Sequence, residues 1–244
     1  MKATLTIARR EFRSYFDSPL AYVVICLGLF LLGVFFFFYR GGFWQVDRAT
    51  FDRMFQYSST GLSLLIIPVI TMRLLAEEKR SGTLEMLITL PVKDAEVILG
   101  KYFGALGLVA VLLLGTTVYP MMMFKWPWNL GALDTGPVLS GYLGLLLFSA
   151  AAVAIGLLIS SLTESQTVAF FITFIVLLFL HQMSVIGEFA PARVGEFMRS
   201  LSFDTHLDNF SRGLIDTRNV VYFLSITVLC LAFAFRSLES RKWS

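Results

Sequence analysis

Charge is scarce in this sequence. Only 15% of its 244 residues are Asp, Glu, Lys or Arg, against a hydrophobic share of 57% and a mean hydropathy of +0.74. A soluble domain carries about a quarter charged residues, so this chain has too little polar surface to coat itself in water. Histidine occurs twice, at His181 and His206, and cysteine twice, at Cys26 and Cys230. Both cysteines fall in apolar stretches with no second Cys nearby, which argues against a paired metal or redox element and reads as small buried residues. Zinc-protease HExxH and nucleophile-elbow GxSxG elements are missing. Gly100-Lys101 is the nearest approach to a phosphate loop. Ala95 stands where that loop needs its first glycine and Tyr102 where it needs Ser or Thr, so no ATP site is expected. The net charge of +3 comes from bases scattered between apolar runs, a pattern that argues against a nucleic-acid patch and fits loops facing anionic lipid headgroups.

What the chain has in abundance is uninterrupted apolar sequence. Intervals nearly free of charge run over 19–39, 54–72, 102–124, 138–163, 165–187 and 219–235. At 1.5 Å per residue, about 19 residues cover roughly 28 Å, close to the hydrocarbon thickness of a bilayer. The runs are continuous, not alternating, which excludes a β-barrel and leaves the helix as the form that satisfies every backbone group in lipid. The fold expected is therefore all-α and polytopic, a single transmembrane domain over 1–244 with six spans. The first apolar run begins only at Pro19, after a polar stretch with Arg9, Arg10, Glu11 and Arg13, and lacks a small-x-small cleavage site. It reads as a retained span and not a cleaved leader.

Six spans put both termini on one side. That side collects twelve Lys and Arg residues against eight on the other, so cytoplasmic termini are expected, in the inner (cytoplasmic) membrane. Residues 1–18 carry Leu5, Ala8, Phe12, Tyr15 and Phe16 at helical spacing with Arg9, Arg10 and Arg13 turned elsewhere, the pattern of an interfacial helix ending at Ser18-Pro19. The 188–218 loop on the outer face repeats Val194, Phe197, Met198 and Leu201 at helical spacing and reads as an interfacial or re-entrant segment. Asp204, His206 and Asp208 resemble a ligand set, but their i, i+2, i+4 spacing does not share one helical face, and ordinary packing is the better reading. His181, inside the fifth span, is a candidate pathway residue, weighed against a neutral histidine bonded to a neighbouring helix.

The 73–101 loop is the most informative stretch. Opposite charges at Glu77, Glu78, Lys79 and Arg80 lead to a Ser81-Gly82-Thr83 break. A short helix then carries Leu84, Leu87 and Ile88 on one side and Glu85 near its positive end, and stops before Pro91. Such a helix docks in a groove on a soluble partner or packs on its own bundle.

The run AEEKRSGTLEML at 76–87, with Pro91 and Gly100-Lys101 following, resembles the coupling-helix region of ABC-2 type permeases. The segments 201–216 and 220–243 are similar to the gliding-motility-associated subgroup, itself close to permeases of nitrous-oxide-reductase maturation. The resemblance implies the membrane subunit of an ATP-binding-cassette exporter, a non-enzymatic chain that binds no cofactor. ATP and Mg would sit on a separate ATPase, two copies of which would serve two permease chains in a homodimer or heterodimer. It further implies Glu77, Glu78, Arg80, Thr83 and Glu85 as polar contacts to that ATPase and Leu84, Leu87 and Ile88 as apolar anchors. Gly82 would supply the turn and Pro91 the stop, and Arg9, Arg10, Phe12 and Arg13 would lie on the interfacial helix that moves with them. An accessory membrane protein with an extracytoplasmic domain accompanies permeases of that subgroup. The alternative is a stand-alone carrier or channel. The nearly uncharged spans speak against it, because ion-coupled carriers use carboxylates at the midplane.

Overall fold

The structure, a computed structural model, describes residues 2–38, 52–83, 93–124 and 135–240. Helix α1 (Lys2–Asp17) is amphipathic and gives way at Ser18 to α2 (Pro19–Phe38). Proline suits that start, because the first N–H of a helix has no partner to lose. The second apolar run is built in pieces: α3 (Asp52–Gly61), a π segment (Leu62–Ile66) and α4 (Ile67–Thr71). Pro68 accounts for the π turn. A proline ring presses on the carbonyl four residues back, and widening the helix by one residue relieves it. The Ile67 N–H accordingly reaches the Leu62 carbonyl, five residues away.

After a turn over 72–75 the chain enters α5 (Ala76–Arg80). The N–H groups of Leu75 and Ala76, orphaned by the turn, both donate to Ser160 Oγ at 3.0 Å. A side chain from another span thus caps α5. Helix α6 (Asp94–Thr116) follows, with Asp94 and Glu96 in its positive first turn. Glu96 Oε2 accepts from the Lys93 N–H at 3.3 Å. The remaining elements are α7 (Val118–Phe124), α8 (Thr135–Leu162), α9 (Gln166–Glu188), α10 (Ala192–Leu201), α11 (Phe203–Ser211) and α12 (Thr217–Ser240). Among the described residues six helical stretches are long and apolar enough to cross a membrane, and none of these residues is in a strand.

Helix α8 is the axis of the bundle. Phe148, Ala151, Ala152, Val153 and Leu157 are all fully buried, and α3, α4, α6, α9, α11 and α12 pack around it. By contrast α9 and α12 expose rows of large apolar side chains, including Phe171, Ile175, Phe179, Val221, Val228 and Phe233. In a bilayer such faces cost nothing against lipid tails.

Helix α1 lies along α6. Gly100 and Gly104, four apart, make the bed: a Cβ at Gly100 would sit 2.5 Å from Ile7 and one at Gly104 2.7 Å from Glu11. Only glycine lets the two backbones come this close.

Candidate functional site

Two polar clusters interrupt the apolar bundle, one at each end. The first is built on Lys101, two turns into α6. Its side chain is almost fully enclosed, and Nζ donates to Glu78 Oε1 at 2.7 Å and Glu11 Oε1 at 3.1 Å. One ammonium therefore ties together α1, α5 and α6. Beside it Arg73 pairs with Glu77 at 3.0 Å. These charges border a cavity of about 320 Å³ that Arg10, Ser14, Tyr15 and Ser18 of the α1–α2 elbow also line. Burial, reinforced by the Glu11 charge, pushes the Tyr15 phenol well above its usual range, so it remains a neutral hydroxyl. Glu78 Oε2 is buried and has no hydrogen-bond partner among the described residues. On the far side of α5, Lys79 donates to the Ser161 carbonyl of α8.

The residues expected at the ATPase interface divide here into two sets. Glu77 and Glu78 turn toward Arg73 and Lys101. Arg80, Gly82 and Thr83 are exposed. Gly82, just past the end of α5, has φ +70°, a conformation that favours glycine. Ser81 Oγ shares a hydrogen bond with Thr83 Oγ1 at 2.8 Å. Leu84, Glu85, Leu87, Ile88 and Pro91 lie outside the described residues. On α1, Arg9, Arg10 and Arg13 are exposed, while the Phe12 ring packs against Phe16 at 5.0 Å with the planes tilted by 53° and lies over Gly107.

The second cluster is at the opposite end, around His181. Thr60 Oγ1 lies 2.8 Å from His181 Nε2, and Asp204 Oδ1 is 3.3 Å from Nδ1, an approach without hydrogen-bond alignment. Asp204 reaches this position because α11 folds back into the bundle, with Phe203 and Phe210 fully buried. Ser140 Oγ of α8 donates to the Phe210 carbonyl at 2.7 Å. Asp204, His206 and Asp208 point to three different partners. His206 meets Asn219 and the Ser200 carbonyl, Asp208 pairs with Arg212 at 2.7 Å, and Asp204 faces His181.

Burial, with Asp208 nearby, pushes the Asp204 carboxyl from 3.8 up to about 7. Between those values the folded chain holds a proton that the unfolded chain has lost, so stability falls as pH rises through this window. Asp204→Asn is expected to remove most of the difference in thermal midpoint between pH 5 and pH 8, measured in detergent. An unchanged difference would show that Asp204 is not its source.

Sequence reasoning passed over Glu11 and Thr60, raised Asp204 only as part of a ligand-like set that it set aside, and took Lys101 for the end of the loop. A signal existed for Glu11, which shares the helical face of Ala8, Phe12 and Tyr15 and is therefore a carboxylate on an apolar stripe.

These features define a polytopic α-helical membrane protein with a charged junction at the end where its amphipathic N-terminal helix meets the second and third spans. The family model of the ABC-2 family transporter protein matches residues 54–201. The chain belongs to this family: it is a transmembrane permease component of an ABC transporter, and such components work with an ABC ATPase subunit. No curated protein sequence matches it.

Proposed function

We propose that the chain is the driven part of an ATP-powered exporter, moved by a separate ATPase that docks on residues 77–91 at the cytoplasmic face. The observation that supports this is the Lys101 junction. Arg80, Gly82 and Thr83 present the start of the docking element outward, while Glu78, one turn earlier, is tied through Lys101 to both α6 and α1. A push on 80–91 therefore moves the interfacial helix and the third span together. Leu84, Leu87 and Ile88 are the proposed apolar anchors, Glu85 a further polar contact and Pro91 the stop of the docking helix.

The working unit in this reading is two permease chains with two ATPase subunits that hold ATP and Mg, in the cytoplasmic membrane with both termini inside. The exposed apolar faces of α9 and α12 leave room for a second chain as well as lipid. The work delivered is export, or mechanical action on an accessory membrane protein with an extracytoplasmic domain, as in the gliding-motility-associated subgroup.

The test is co-purification. Leu87→Asp combined with Arg80→Glu should lower ATPase recovery from detergent about ten-fold or more, the effect of losing a central anchor at an interface. Undiminished recovery would sink the docking assignment.

A further inference from the structure

We propose that the cavity at the α1–α2 elbow is a headgroup site for a phospholipid bearing a primary ammonium, the phosphoethanolamine class. This does not depend on the ATPase reading. The cavity, about 320 Å³, falls within the size range of small-molecule pockets, roughly 300–1,000 Å³. Its charged lining is balanced: Arg10, Arg73 and Lys101 against Glu11, Glu77 and Glu78. A zwitterion can set each of its charges against an opposite one on that wall, which a ligand with charge of one sign cannot.

The internal pairing decides which zwitterion. Lys101 is occupied by Glu11 and Glu78, and Arg73 by Glu77. Two groups stand outside this pairing, one a cation and one an acceptor. Arg10, exposed at the mouth, takes part in none of those three ion pairs. Glu78 Oε2 sits just behind the cavity wall, buried with no hydrogen-bond partner among the described residues, and a small side-chain rotation would present it to an entering donor. A guanidinium binds phosphate through two parallel N–H bonds, and a buried carboxylate oxygen needs an N–H donor. Phosphate and primary ammonium joined by two carbons supply both. A choline headgroup carries the same charges but has no N–H to give Glu78.

The position supports a membrane source for the headgroup. Ser18 closes the cavity at the elbow where amphipathic α1 gives way to the first apolar span. From there α2 exposes Tyr22, Val23, Leu27 and Phe30, a surface along which acyl chains can run.

The experiment uses the full chain in detergent, incubated with equimolar phosphatidylethanolamine and phosphatidylcholine of identical acyl chains and read by native mass spectrometry. One retained lipid is expected, with ethanolamine favoured about ten-fold, the effect of a single charge-assisted hydrogen bond. Glu78→Gln should abolish that preference. Arg10→Gln, at an exposed position outside those ion pairs, should leave folding intact and lower retention of both lipids about ten-fold. If Glu78→Gln does not fold, the wild-type ratio and the Arg10 variant still decide. Equal retention of the two lipids by the wild type overturns the proposal, as does unchanged retention in Arg10→Gln. Glycerophosphoethanolamine is the soluble control, and if it displaces the bound lipid at equal concentration the lipid assignment is wrong.

Discussion

Replacing Lys101 with methionine is expected to destabilise the chain by about 3–5 kcal/mol, the range seen when one partner of a buried ion pair is removed. The ammonium is the shared partner of two carboxylates, Glu11 at 3.1 Å and Glu78 at 2.7 Å. Without it both carboxylates remain largely enclosed and uncompensated, each repelling the other. Glu78 already has one oxygen without a partner, so no slack exists to absorb the loss. A large drop in thermal midpoint should follow, together with loss of ATPase stimulation, because α1 and α5 lose the group that links them to α6.

The control is the triple variant Lys101→Met, Glu11→Gln, Glu78→Gln. Replacing a whole buried ionic set by neutral groups is often neutral for stability, so the triple variant should recover much of the midpoint. It should still fail to stimulate the ATPase, since a neutral set has no ionic tie with which to transmit. A triple variant as unstable as the single one would mean that the lysine acts through packing of its stem.

The spans were legible because lipid imposes a simple rule: charges mark where an apolar helix stops. The same rule hides the functional junction. Helix α6 begins at Asp94, so residues 94–101, which read as loop from their charges, are its first turns. Lys101 looked like a boundary because a lone lysine beside an apolar run normally reaches for water. Its two carboxylates come from Glu11 and Glu78, distant in the chain, and nothing in local periodicity pairs them.

The segment after Ser202 shows a different failure. Phe203, Leu207 and Phe210 recur at helical spacing and are buried, yet Asp204, His206 and Asp208 between them make the stretch read as a mixed loop. The contact of His181 with Thr60 depends on how α9 lies against α3, a matter of tertiary packing that no single-chain pattern encodes. The π segment had a sequence signal that counting spans passed over: Pro68 inside an apolar run marks a break in register.

In the proposed function a separate ATPase covers the end of the chain where Arg80, Gly82 and Thr83 are exposed. Thr83 is exposed and is held to Ser81 by a surface hydroxyl contact, so cysteine is tolerated there at little cost. The native cysteines, exposed Cys26 and buried Cys230, are first changed to alanine. Thr83→Cys in membrane vesicles is then labelled with a membrane-impermeant maleimide, with and without the ATPase co-expressed. The account predicts labelling only from the cytoplasmic side and about ten-fold slower in the presence of the ATPase, as for a residue at a desolvated interface. Equal labelling rates with and without the ATPase, or labelling from the outer side, would contradict it.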